Sequence, residues 1–239
     1  MVALSASRWA QFKLCPKSYE YAYLNPDTKR AWGDHGDKSG GVESHKEAED
    51  YLRDDTTAVP KWPDRFRNLL VDLKAEGARP EVEFAFLETW APCEWFDKRA
   101  AFRMKLDAYH TQRYVDYKTG KVKTSGWRDQ LELGAIAIML THPHVKVVPA
   151  ELWYINHDHI TRDRIHRWEL EDLQRKWLMN YYTLNNGRSD PSTIPFSKTP
   201  SGFCRFCKYN ISNGGSCDGS PEPVYYVGPN FGPPDALKV

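Results

Sequence analysis

The sequence predicts an α/β protein, and three observations carry that class. Segments with apolar residues at three-and-four spacing are interspersed with shorter runs that alternate residue by residue, so helices and strands follow one another along the chain. Glycine and proline punctuate the boundaries, as Gly77 and Pro80 do after one helical segment. The chain has 239 residues, 41% of them hydrophobic, which is enough for one sizeable domain or two small ones with a real core.

Residues 5–24 read as a helix with Ser5 or Ser7 as N-cap and Trp9, Phe12, Tyr19 and Tyr23 in helical spacing. Pro16 interrupts it, so Cys15 falls at a kink, and Arg8, Lys13 and Lys17 make the region positive. The stretch Asn25–Gly41 has no periodicity and reads as a loop. A helix over 42–53 places Val42, His45, Ala48, Glu49 and Leu52 on one face, which turns His45 inward; a lone histidine there is more often a satisfied core group than a ligand. A further helix is expected over 63–76, with Pro63 in its first turn.

Three strands follow. Glu81–Glu88 alternates acidic and apolar residues, and its Glu83 reads as a solvent-facing group first and a catalytic one second. Ala101–Tyr109 alternates through Phe102, Met104 and Leu106 until Asp107 breaks in. After a turn at Thr111-Gln112 comes Arg113–Tyr117, so the last two form a hairpin in which Asp107 and Asp116 could approach a common ion. Residues 120–125 form a basic turn with Lys121 and Lys123, and 127–140 is a strongly apolar helix with Gln130, Gly134 and Ala137 on one face. A buried strand is expected over 145–155, a short edge strand over 164–169 and an amphipathic helix over 169–184. His142, His144, His157 and His159 lie in polar loops with no carboxylate spacing to complete a metal site. Residues 185–200 read as a linker and 221–239 as a Pro-rich extended tail, the remainder forming a single domain over 1–220.

Charge narrows the function classes only locally. With 33 basic against 32 acidic side chains the net charge is +1, so no global field draws the chain to nucleic acid and any such contact must come from local groups. No run approaches the roughly 18 apolar residues of a membrane span, and the start lacks the apolar stretch of a signal peptide. The expectation is a cytoplasmic protein with no membrane partner. Aromatic residues make up 13% of the chain, with nine Trp, which fits a dense interior better than a purely stacking role.

The chemistry is concentrated in Val115-Asp116-Tyr117-Lys118-Thr119-Gly120. Residues two apart on a strand share a face, so Asp116 and Lys118 stand side by side; such an acid can hold a divalent cation, and such an amine can steady a water or a developing negative charge. In isolation the pair reads first as a surface ion pair and only second as a catalytic one. A second concentration is Cys204-x2-Cys207-x9-Cys217, with Cys15 and Cys93 distant; that crowding favours metal over disulfides in an intracellular chain.

Taken in order, a helix with His45, a strand ending in Asp107, the string Asp116-Tyr-Lys-Thr-Gly120 and a helix carrying Gln130-Leu-Glu-Leu resemble the RecB-like branch of the PD-(D/E)xK nucleases. Ser5-Ala-Ser-Arg8 with Cys15-Pro16, and Gly41-Val-Glu-Ser-His45, resemble further parts of that family, and the cysteine layout is similar to that of its iron-sulfur members of the Cas4 and AddB type. The likeness spans Leu4 to Cys217.

The resemblance implies a restriction-endonuclease-like core, a mixed β-sheet flanked by helices, with the N- and C-terminal segments tied by a cysteine-ligated cluster. It implies a Mg²⁺ or Mn²⁺ site built from His45, Asp107 and Asp116, catalytic roles for Asp107, Asp116, Lys118 and Gln130, and a [4Fe-4S] cluster on Cys15, Cys204, Cys207 and Cys217, with zinc as the competing occupant. The expected activity is a metal-dependent DNA exonuclease on single strands or duplex ends, in recombination, repair or phage DNA processing, working in the cytoplasm of a cell or of a virus's host. The alternative is a catalytically weak DNA-binding or adaptor subunit of a replication or spacer-acquisition complex. DNA is the implied partner, with a homo-oligomer or replication and recombination proteins also allowed. Two departures stand out: the family's helix motif is Gln-x3-Tyr where this chain has Gly134, and the spacing Cys207-x9-Cys217 is long, with Asn213-Gly214-Gly215 resembling an insertion.

Overall fold

The computed structural model describes residues 1–25, 41–110, 113–186 and 196–220. The expected turn at Thr111-Gln112 and tail over 221–239 lie outside the described residues, as do most of the loop expected between Asn25 and Gly41 and of the linker over 185–200. Among the described residues no helix is long and apolar enough to cross a membrane.

A five-stranded mixed sheet orders the molecule: β1 (Arg79–Phe86), β2 (Phe102–His110), β3 (Arg113–Lys118), β4 (Val147–Tyr154) and β5 (His159–His166), arranged in sequence order. All neighbours are antiparallel except β3 and β4, which run parallel. A parallel pair needs a crossover. Here it contains the helix Arg128–Thr141.

Among the described residues six helices cover the sheet: α1 (Ala6–Leu14), α2 (Pro16–Tyr19, continuing as a π turn to Leu24), α3 (Gly41–Leu52), α4 (Asp64–Ala75), α5 (Arg128–Thr141) and α6 (Leu170–Asn186). Ser5 caps α1 by accepting the Arg8 N–H. The break expected at Pro16 is there: Cys15 is extended, at φ −162° and ψ 106°, and its carbonyl accepts the Ser18 N–H at 3.0 Å. Pro63 supplies the N-cap position of α4.

Two cores lie on opposite faces of the sheet. Tyr114, Leu152 and the buried side of α5 belong to one with Trp177 and Tyr181 of α6; Val115, Tyr117 and Trp153 belong to the other with Ala48 and Leu52 of α3 and Phe66 and Leu70 of α4. This is the strand period of two at work, since successive residues of β3 feed different cores. Helix α5 is buried from Leu131 to Met139, which explains why it is apolar nearly all round. Its one charged residue in that run, Glu132, accepts from Trp177 Nε1 at 3.0 Å, Lys176 Nζ at 2.7 Å and Arg128 Nη1 at 3.4 Å.

Strand β5 corrects the expected edge strand over 164–169. It begins at His159, because Asp158 adopts a left-handed turn at φ 44° that reverses the chain, and it stops at His166, where 167–169 wind into a 3₁₀ turn. Its polar residues face outward from the sheet edge and so mimic a loop in sequence.

Candidate active site and cysteine pocket

The β2–β3 ladder pairs His110 with Arg113, Tyr109 with Tyr114 and Ala108 with Val115, and stops there. The next residues in that register are Asp107 and Asp116. Instead of continuing the ladder, Asp107 turns its carboxylate to the backbone: Oδ2 accepts the Tyr117 N–H at 2.7 Å and lies 3.0 Å from His45 Nε2. The same His45 nitrogen lies 3.1 Å from the Tyr117 carbonyl oxygen. The inward face read for α3 thus delivers its histidine to the point where two strands separate.

Asp116 lies on the α5 side of β3. Gln130, in the first turn of α5, donates its Nε2 hydrogen to Asp116 Oδ1 at 2.8 Å, and Lys118, two residues on, forms a close ion pair with Oδ2. Asp116 is buried, and that burial raises its pKa from 3.8 to about 6 against the attraction of Lys118; the charge of Asp107 adds to the rise. Burial works to lower the Lys118 pKa, but Asp116, with help from Asp107, outweighs it and the ammonium is held above its ordinary range. All five residues expected at the site, His45, Asp107, Asp116, Lys118 and Gln130, therefore form one connected group.

Sequence periodicity missed two members of this neighbourhood. Glu81 stands between the register pairs Pro80↔Ala108 and Val82↔Leu106, hence opposite Asp107, and pairs with Lys105, whereas Glu83 is exposed. Glu81 has φ 56°, a strained conformation for a non-glycine residue. Glu81, Asp107 and Asp116 thus hold matching sequence positions on three neighbouring strands, at the point where the regular pairing lapses. The second is Tyr114, whose hydroxyl donates to the backbone carbonyls of Leu131 and of Gln130, the latter at 3.2 Å, and whose ring lies against Gly134.

The separating strands open a cleft of about 460 Å³ with Asp116 and Gln130 on its floor. Leu4 pairs with β2 in the place β3 has left, its N–H donating to Ala101 O at 2.7 Å and its carbonyl accepting the Arg103 N–H at 2.9 Å, and so sets Ser5 to Arg8 along the side of the cleft.

Cys15, Cys204, Cys207 and Cys217 line a second, apolar pocket of about 350 Å³ between the kink after α1 and the C-terminal segment. All five cysteines are free thiols, and Cys93 is not among that pocket's lining residues. Burial raises the Cys207 thiol, as do the neighbouring Cys15, Cys217 and Cys204. The long spacing is absorbed by a folded turn. Ile211–Asn213 form a 3₁₀ turn ended by Gly214 at φ 85°, and Cys217 returns to donate its N–H to Tyr209 O at 2.7 Å. Asn213 Nδ2 ties the loop down by donating to Cys207 O at 2.9 Å. Lys17 N–H donates to Ser197 O at 3.2 Å and Phe196 packs on Phe12 and Tyr19, so the first helices and the segment that carries the three later cysteines meet here.

Among the described residues no three His, Cys, Asp or Glu side chains are drawn together into a ready-made metal cage. At the acidic group the reason is visible: the carboxylate oxygens already serve His45, Tyr117, Lys118 and Gln130. The donor types nevertheless suit a hard divalent cation, since a desolvated carboxylate beside a second one is an arrangement that positive charge relieves. Four thiols around one pocket likewise suit zinc or an iron-sulfur cluster.

No model of a known protein family matches this chain, and no curated protein sequence matches it. Among solved structures it is similar to the crystal structure of a "putative exonuclease" from Eubacterium rectale, at 12% identity and a TM-score of 0.43, over 79% of this chain and 83% of that one. A likeness so distant carries no argument about the site.

Proposed function

We propose that this chain is a nuclease: a Mg²⁺- or Mn²⁺-dependent DNA exonuclease of the RecB-like kind. The observation that carries the reading is the meeting of Asp107 and Asp116 at the end of the β2–β3 ladder, with His45 on one and Lys118 and Gln130 on the other. Phosphodiester hydrolysis needs positive charge around a phosphate and a positioned water, and few groupings of side chains provide for both. The string Asp116-Tyr-Lys-Thr-Gly120 adds its resemblance to that family.

His45, Asp107 and Asp116 would hold the cation, which when bound supplies neutralisation of the phosphate and a more acidic water. The protein's own groups do the rest. The Tyr117 N–H holds the Asp107 carboxylate and Gln130 that of Asp116, so both acids are oriented before substrate arrives. Lys118 keeps its proton and presents an ammonium on the Asp116 face of β3, where negative charge develops on the phosphate oxygens. Ser5 and the first turn of α1 form one side of the cleft.

The four clustered cysteines are read as ligands of a [4Fe-4S] cluster that clips the N-terminal helices to the C-terminal segment, with zinc as the competing occupant. Their shared lining of one pocket supports this. Closing a loop of that length constrains the unfolded chain, which makes the role structural.

The test is digestion of 5′- and 3′-labelled single- and double-stranded DNA. Breakdown that requires Mn²⁺ or Mg²⁺, stops with chelator and is lost in Asp116→Ala is the expected result. Cleavage that survives Asp116→Ala overturns the assignment, and DNA binding without cleavage by the native chain favours the adaptor role. Anaerobically purified protein should contain about four irons per chain. Colourless protein with one zinc would replace the cluster.

A further inference from the structure

Trp95 is an aromatic residue that neither core uses. It lies in the loop between β1 and β2, lines the cleft above Asp116 and Gln130, and is faced by the Arg103 guanidinium 5.7 Å from its ring centroid. Arg103 Nη2 donates to Asp97 O at 3.2 Å, while its Nε is buried without a hydrogen-bond partner among the described residues. On the α1 side of the same cleft Arg8 sits 4.9 Å over the ring of Tyr23, which does pack on the core. Both sides of the cleft therefore combine an arginine with an aromatic face, in a chain with no net field to attract a polyanion.

That combination has a chemical meaning. Inside a duplex both faces of a base are stacked on neighbours, and at a blunt end only the outer face of a whole pair is free, too broad for one indole; a single-stranded base can enter alone, where aromatic side chains grip it and arginine takes the flanking phosphates or stacks in turn. An indole left half-buried at the mouth of a hydrolytic cleft costs exposed apolar surface, and nothing in the packing of either core requires it there.

We infer that the cleft admits an unpaired end of single-stranded DNA, with a base stacked on Trp95 and its flanking phosphates held by Arg103 and Arg8. The inference rests on the nuclease reading for the identity of the ligand and narrows it from either kind of end to the single strand. A duplex end binds only after its last base separates.

The experiment measures binding apart from cleavage. The full chain, kept in chelator so that no DNA is cut, is titrated into fluorescein-labelled oligothymidylate and into a blunt duplex of mixed sequence of the same length, with fluorescence anisotropy as the readout. The expected result is tighter binding of the single strand, a loss of roughly five- to a hundredfold in Trp95→Ala, the range carried by one base-aromatic stack, and retention in Trp95→Phe. An unchanged melting temperature in Trp95→Ala separates lost stacking from lost fold. Equal binding by native chain and Trp95→Ala, or preference for the duplex, overturns the inference. The two readings fail separately: Asp116-dependent digestion with Trp95-independent binding removes the stacking platform alone, and Trp95-dependent binding with no digestion removes the nuclease alone.

Discussion

Tyr114 occupies the space that a side chain at position 134 would need. A Cβ built on Gly134 would lie 2.7 Å from the Tyr114 hydroxyl oxygen and 2.8 Å from Cε1, closer than real Cβ contacts allow. The tyrosine that the Gln-x3-Tyr pattern would put on α5 is absent, and an aromatic ring from β3 fills that space.

Gly134→Ala should destabilise the fold by about 1–3 kcal/mol, since the buried ring cannot swing away and overpacking outweighs the gain in helix propensity. Adding Tyr114→Leu should recover part of that loss. A double-mutant cycle by denaturant unfolding checks it, and simple additivity would show that the two residues do not share the space.

Asp116 should make the cation-free protein weaken as pH rises. Its pKa in the fold, about 6, exceeds the ordinary 3.8, so its stabilising contribution is complete below pH 4 and is lost as pH climbs through 6, on the order of 2–3 kcal/mol. Melting temperatures between pH 4 and 7 should show the decline, and Mn²⁺ at pH 7 should reverse it. Asp116→Asn should flatten the decline and abolish the Mn²⁺ response.

Asp129 should act with the opposite sign. It pairs with Lys13 of α1 and with Lys176 of α6, the latter at 2.8 Å, and although burial works to raise it, those hydrogen bonds hold its pKa below the usual carboxylate value. Its contribution is present above pH 4 and lost as pH falls further. Protection factors of the α1 amides, corrected for the slower intrinsic exchange of any amide in acid, should therefore fall as pH drops below 4, and Asp129→Asn should show the lowered protection at neutral pH as well.

Glu132→Ala should cost about 1–3 kcal/mol, because it strands the buried Trp177 N–H, whereas Lys176 keeps Asp129 and Arg128 keeps Asp163 and Glu169. Glu132→Gln should cost less. Equal losses would mean that shape alone matters at that point.

Much of the site was legible because its geometry follows from strand and helix periods. The face shared by His45, Ala48 and Leu52 turned the histidine inward, and hairpin symmetry about 111–112 put Asp107 opposite Asp116. Glu81 was not legible, since period-two alternation puts it on the same face as Glu83 and only the positive φ at Glu81 separates them. The Tyr114–Gly134 fit joins a strand to a helix in three dimensions, which no one-dimensional pattern encodes. The early start of β5 was hidden because a polar edge strand has the composition of a loop.

The place Leu4 takes beside β2 has a consequence for the order in which the molecule is built. Leu4 binds residues 101 to 103, and Val2 donates its N–H to Asn185 Oδ1 at 2.9 Å across 183 positions of sequence. Contacts of such separation form slowly, after local structure has brought their partners together. The wall that completes the cleft is thus laid down late although its residues come early, and a growing or damaged chain lacking α6 would hold the acids of β2 and β3 in an unfinished, open trough.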